Sequence, residues 1–173
     1  MIIIDNYIKD VTFFNSIRCR ETWEEYDRIN KYEHTENTLI YDKDSKEKNI
    51  LERFIESLLE DNYLQLSQYK YSKVEYWANC LSKDKPLDWH QDKDEVLLQK
   101  TGELVHPQVG IIWYAMIDEV VGGYLEIDHE DIARNYERIK PVENRLIVFN
   151  PVKFHRVSKI FSGTRYGLQI NLW

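Results

Sequence analysis

Cys19 and Cys80 are the only thiols in this 173-residue chain. Two cysteines at this length exclude a disulfide framework and point to a reducing compartment. Glycine and proline are sparse, with six and four residues. No stretch is repeated, low in complexity or linker-like, so the expectation is one domain over residues 1–173. Long hydrophobic runs are missing, which leaves no candidate membrane span. The opening Met1-Ile2-Ile3-Ile4 is closed by Asp5, too short for the apolar part of a signal peptide. Positive charge is also short: 23 Lys and Arg face 30 Asp and Glu, a net charge of −7. No segment gathers enough basic residues to follow a phosphate backbone, so no nucleic-acid partner is expected. The reading is of a soluble, cytoplasmic protein.

What is present is an ordinary globular composition, 43% hydrophobic and 31% charged, which excludes disorder as the main state. A short strand is expected at Ile2–Asp5. Leu51, Phe54, Ile55, Leu58 and Leu59 recur at helical spacing and predict an amphipathic helix over about 46–60, with Asp44 and Glu47 as its start signal. Its apolar stripe is a packing face. From Tyr63 onward the pattern turns to short strands between Gly, Pro and Asp-rich turns: Tyr69–Leu81, Gln108–Ile117, Tyr124–Ile127, Arg145–Phe149, His155–Val157 and Tyr166–Trp173. Strand and helix do not alternate regularly, which argues against a parallel sheet. Short strands after helices fit a mainly β jelly-roll or small barrel with flanking helices.

The last predicted strand carries the most information. Alternation puts Tyr166, Leu168, Ile170 and Leu172 on one face, and Arg165, Gly167, Gln169 and Asn171 on the other. Two environments explain the polar face: solvent, or a barrel interior holding a polar ligand. Gly167 would leave room for one.

Upstream, Trp89-His90-Gln91-Asp92 contains a His-x-Asp pair. On an extended segment, positions two apart point to the same side, so the imidazole and the carboxylate can meet one ion. His155 offers a second imidazole from a distant strand. Alone, such a pair arises by chance in many proteins, and a single His is more often a hydrogen-bonded structural residue. Arg165 stands ten residues after His155 and opens the last strand. Its guanidinium pairs bidentately with carboxylates and keeps its charge in a buried pocket. The plain alternative is a surface salt bridge. Taken together, His-x-Asp, a later His and an Arg on the following strand make a specific combination.

These blocks resemble the 2-oxoglutarate- and Fe(II)-dependent dioxygenases of the prolyl-4-hydroxylase-like branch. The resemblance covers roughly residues 69–173. It rests on Trp89-His90-Gln91-Asp92, on Val121-Gly122-Gly123-Tyr124-Leu125-Glu126-Ile127, on Asn144-Arg145-Leu146-Ile147-Val148-Phe149-Asn150 through His155-Arg156-Val157, and on Ser162-Gly163-Thr164-Arg165-Tyr166. It implies a double-stranded β-helix (jelly-roll) core at about 69–173 with residues 1–68 as helical support. It implies Fe(II) on His90, Asp92 and His155, with 2-oxoglutarate as co-substrate held by Arg165 and lined by Leu125. O2 is the oxidant and ascorbate a reductant. The implied reaction is hydroxylation with release of succinate and CO2. Relatives that halogenate replace the metal carboxylate by a small residue, so Asp92 favours hydroxylation. The branch suggests a protein or peptide side chain as substrate; a small metabolite or free amino acid is the alternative, and a silent jelly-roll binding module the rival of another class. A cupin-type site is disfavoured, since no His-x-His pair exists in the chain.

One position departs from the pattern. Some relatives carry a hydroxyl residue two places after the Arg, where this chain has Gly167; Tyr114 is the candidate replacement, against the alternative of a core tyrosine. Trp77 and Asn79 either line the pocket or, for Trp77, pack in the core. Residues 93–107 read as a lid or as a connecting loop with a helical turn. His34, His106 and His129 read as surface or loop residues. The acidic cluster Glu126, Asp128, Glu130 and Asp131 reads as a solvated turn and helix start, lacking the pattern of a calcium loop.

Overall fold

The computed structural model describes residues 1–25, 39–83, 87–128 and 135–173; His34, His129, Glu130 and Asp131 lie outside the described residues. Chain order gives β1 (Ile2–Ile4), α1 (Val11–Ile17), β2 (Leu39–Ile40), α2 (Ile50–Leu59), β3 (Val74–Ser82), β4 (Leu87–His90) and α3 (Glu95–Thr101). The rest is strand: β5 (Val109–Gly122), β6 (Leu125–Asp128), β7 (Tyr136–Ile139), β8 (Leu146–Phe149), β9 (His155–Val157) and β10 (Ile160–Leu172). Among the described residues these strands form two antiparallel sheets. One runs β1-β8-β5-β10-β3-β2 and the other β4-β9-β6-β7. The architecture is the expected jelly-roll. No helix among the described residues is long and apolar enough to cross a membrane.

Strand period explains how one sheet serves two cores. On β5, Ile111, Trp113 and Ala115 face the helices, while Ile112 and Tyr114 face the space between the sheets. Trp113 is fully buried and lies 4.5 Å from the ring of Phe54 on α2. Its indole N–H donates to Asn144 Oδ1 at 3.2 Å, and Asn144 also bonds the backbone of Ile8. The N-terminal segment is thus tied to the large sheet. It also supplies β1 to β8 and β2 to β3, so residues before 69 contribute strands as well as helical support.

Helix α2 buries Leu51, Phe54, Ile55 and Leu58, the stripe its periodicity predicts. Its start differs from the expected Asp44–Glu47 signal. Asn49 adjoins the first helical residue, accepts from Glu52 N and is capped in return by the Glu52 carboxylate. Asp44 lies too early to reach those amides.

Several strand limits also move. The last strand begins at Ile160, not Tyr166, because Ser162-Gly163 is a bulge within the strand rather than a turn. Gly163 takes φ +76°, and a Cβ there would sit 2.3 Å from the Asp118 carbonyl oxygen. Strand β3 begins at Val74, later than expected, and β4 and β7 appear where the sequence predicts no strand.

Candidate functional site

Strand β4 is short and lies at the edge of its sheet. Leu87 opposes Val157 and His90 opposes His155 on β9. Three steps on β4 therefore match two on β9, a bulge that turns both Leu87 and His90 toward the interior. Two residues on, Asp92 is anchored by its own N–H, which donates to Pro151 O at 3.2 Å. His90, Asp92 and His155 thereby converge: each offers a ligand atom, and these atoms lie within 4.8 Å of one another. Each histidine Nε2 is 3.6 Å from Asp92 Oδ1, and the two imidazole centroids are 4.3 Å apart.

Hydrogen bonding sets which nitrogen is free. His90 Nδ1 is 2.7 Å from Asp88 O and His155 Nδ1 is 2.8 Å from Lys153 O. A carbonyl can only accept, so each Nδ1 carries a proton, and each Nε2 faces the shared centre, where loss of its proton frees a lone pair for a metal. Burial, together with the neighbouring His155, holds the His90 pKa below its ordinary value. Burial alone would raise the Asp92 carboxyl. The hydrogen bond and charge of His155, with Asn171 and His90, outweigh it and keep the group below its usual range. Two imidazoles presenting Nε2 and a carboxylate are a donor set that fits a divalent iron with open positions.

Gln169 and Asn171 share the polar face of the last strand, for which alternation leaves solvent or a ligand-holding interior open; both are buried. Asn171 Nδ2 donates to Asp92 Oδ2 at 3.1 Å, and Gln169 Nε2 lies 3.4 Å from the same oxygen. They hold one carboxylate oxygen and leave Oδ1 facing the histidines. Outer partners of this kind commonly tune metal affinity by about 10–100-fold. Asn171→Leu is expected to weaken metal binding within that range while all three candidate ligands remain, as measured by metal titration of the apoprotein.

His106 is a half-buried loop residue, as expected, but with a contact the sequence does not announce: its Nδ1–H donates to the Asp92 carbonyl at 2.6 Å. Beside it, Asp94 N–H donates to Val105 O at 2.9 Å and closes the neck of the 93–107 segment, which carries α3. The contact spans fourteen residues, and no local pattern announces it. Glu126 and Asp128 are a correction. They are 2% and 1% exposed on β6, not part of a solvated turn, and Glu126 is neutralised by Arg138 and Arg156.

At the other end of the interior, Arg165 is 4% exposed, which removes the surface salt bridge alternative. Its Nη1 donates to Gly123 O at 2.8 Å and to the Tyr114 hydroxyl at 3.3 Å, and its guanidinium lies over the Tyr114 ring. Among the described residues no carboxylate pairs with it. A buried cation without a counter-ion is costly, so the pocket is chemically prepared for an anion. A Cβ at Gly167 would sit in ordinary contact with Trp113 O at 3.4 Å and the Tyr114 ring at 3.5 Å. Tyr114 itself is fully buried and Leu125 is 1% exposed. The cavity between the two ends touches the three metal-type ligands, Leu125 and Arg165, and also Trp77 and Asn79.

Residues 76–173 match the model of the 2OG-Fe(II) oxygenase superfamily. No curated protein matches the chain. Among solved structures, a Pseudomonas putida prolyl-4-hydroxylase is similar at TM-score 0.63 and 12% identity, covering 99% of this chain and 85% of that one. A viral collagen prolyl hydroxylase from Paramecium bursaria Chlorella virus-1, solved as its 2OG complex, is similar at TM-score 0.58 and 15% identity, covering 99% and 95%. A prolyl hydroxylase from Trichoplax adhaerens, in complex with a hypoxia inducible factor peptide fragment, gives TM-score 0.58 and 14% identity, covering 99% and 82%. At these identities the likeness is one of fold.

Proposed function

The chain belongs to the 2OG-Fe(II) oxygenase superfamily, and on that premise we propose that it hydroxylates a peptide or protein side chain, with His90, Asp92 and His155 holding Fe(II) and Arg165 holding the far carboxylate of 2-oxoglutarate. The enzyme class and its cofactors, Fe(II) and 2-oxoglutarate, follow from the family. One observation carries the residue assignment. Two imidazole Nε2 atoms and a carboxylate oxygen converge at one end of a cavity, and a buried guanidinium with no carboxylate partner among the described residues stands at the other.

When bound, iron with O2 and 2-oxoglutarate supplies the oxidising power: one oxygen atom ends in succinate as CO2 leaves, and the other in the substrate C–H bond. The remaining work belongs to the chain. The fork of Arg165, steadied by Tyr114 and Gly123 O, fixes the co-substrate by its distal carboxylate. Leu125 and Ile112 give that passage apolar walls that limit water. Gln169 and Asn171 hold Asp92 Oδ2 and aim the carboxylate. The side-chain substrate is supported by the prolyl hydroxylases among the structural neighbours, one of them holding a peptide. The shared core of α1, α2 and the large sheet supports reading residues 1–173 as one domain.

The test is coupled turnover. Iron-loaded protein with ascorbate and a proline-containing peptide library is expected to form succinate and to give peptide products heavier by one oxygen atom. Succinate without any oxygenated peptide would reject the peptide substrate. No succinate above an Asp92→Ala control, across peptides and free amino acids, would favour a binding module instead.

A further inference from the structure

Behind the metal-type histidines, on the opposite face of the small sheet, one side chain from each of its four strands joins a continuous row: Trp89 on β4, Arg156 on β9, Glu126 on β6 and Arg138 on β7. The register makes the row. Glu126 is the direct cross-strand neighbour of Arg156 on one side and of Arg138 on the other. Leu125 and Ile127 turn inward, so Glu126 turns away from the cavity. Its two oxygens are divided between the neighbours: Oε2 accepts from Arg156 Nε at 2.7 Å and Oε1 from Arg138 Nε at 2.8 Å. Arg156, so fixed, lies with its guanidinium 4.6 Å from the Trp89 ring, and Trp89 meets Tyr136 edge-on at 5.6 Å.

Trp89 precedes His90, and Arg156 follows His155. The ladder between β4 and β9 is weak support for that pair, with two registered positions and a bulge between them. On the inner side Leu87 opposes Val157, and just past the strand Asp92 N–H and Gln91 Nε2 donate to Pro151 O and Val152 O, while His90 Nδ1 bonds its own strand at Asp88 O. The row adds a side-chain tie on the outer face, directly behind the two histidines. We propose that Glu126, Arg156 and Trp89 are positioning residues for the metal centre: the buried carboxylate locks Arg156, the guanidinium stack locks Trp89, and the edge strand is thereby held where His90 faces His155. A planar guanidinium does this better than an ammonium, because it stacks on a ring while its Nε–H donates to the carboxylate. The inference rests on the reading of His90 and His155 as ligands.

Co(II) is the probe, titrated into the full apoprotein with affinity and the visible absorption of the bound ion as readouts. Trp89→Leu is the cleaner substitution, because Trp89 does not line the cavity whereas Arg156 does. Trp89→Leu and Arg156→Met are expected to weaken Co(II) binding by about 10–100-fold and to alter the bound ion's visible spectrum. Arg138→Met also strips one ion pair from Glu126 but leaves the Arg156–Trp89 link, and its Co(II) affinity and spectrum are expected to stay near wild type. Trp89→Phe and Arg156→Lys keep part of the stack or the charge and are expected to fall between, which covers a failure of Arg156→Met to fold. Wild-type affinity and spectrum in Trp89→Leu would overturn the proposal, as would an equal loss in Arg138→Met, the mark of a purely structural role. A His90→Ala control separates the two readings. If wild type takes up no Co(II), or His90→Ala binds it equally well, the ligand assignment itself fails and the positioning role with it.

Discussion

Replacing Arg165 by alanine is expected to weaken 2-oxoglutarate binding by roughly 30-fold to several thousand-fold. Removing one partner of a desolvated charge pair costs on the order of 2–5 kcal/mol, at about 1.4 kcal/mol per tenfold. The upper part of that range applies if the pocket stays closed, since Arg165 is buried and its two protein contacts are uncharged oxygens that cannot stand in for it. Arg165→Lys recovers part of the loss: an ammonium supplies charge without the planar fork. Metal affinity in the absence of 2-oxoglutarate should stay at the wild-type value, because Arg165 is not among the three converging groups. Anaerobic titration of the metal-loaded variant checks both halves. Unchanged keto-acid affinity would return Arg165 to a structural role.

His155→Ala is expected to have the largest effect on the metal itself. It removes one of three donors outright, so the loss should exceed the approximately 10–100-fold typical of an outer partner. A second consequence follows from Asp92. Burial pushes that carboxyl up, and His155 heads the groups that hold it down. Without His155 the Asp92 pKa rises, and the imidazole that must shed its own proton for metal to bind is gone, so the pH dependence that remains belongs to Asp92 and His90. Metal stoichiometry and affinity across a pH series decide it, and a variant with wild-type stoichiometry and affinity would remove His155 from the site.

Local periodicity accounts for what was legible. Both faces of β10 were readable because alternation is a property of neighbouring residues: Tyr166, Leu168, Ile170 and Leu172 enter the helix-side core, and Arg165, Gln169 and Asn171 are buried on the other side. Helix α2 was readable for the same reason. His90, Asp92 and His155 were visible as types in an order, and the structure brings them together. What escaped depends on pairing between distant segments. The bulge that turns His90 inward exists only against β9. Glu126 and Asp128 look solvated in an acidic string, yet β6 lies between two strands that bury them. His106 reaches Asp92 because the 93–107 segment closes on itself. The pattern Asp44–Glu47 points to an earlier start than the cap at Asn49, because only the position of the first helical residue decides which side chain reaches the free amides.

The most direct test of the central claim is the visible charge-transfer absorption that arises when 2-oxoglutarate chelates Fe(II), recorded anaerobically on the whole chain. The account predicts a saturable band in wild type, the same band at far higher 2-oxoglutarate in Arg165→Ala, and none in His155→Ala. A wild-type protein that takes up iron and gives no band, or a His155→Ala variant that gives the wild-type band, would contradict it.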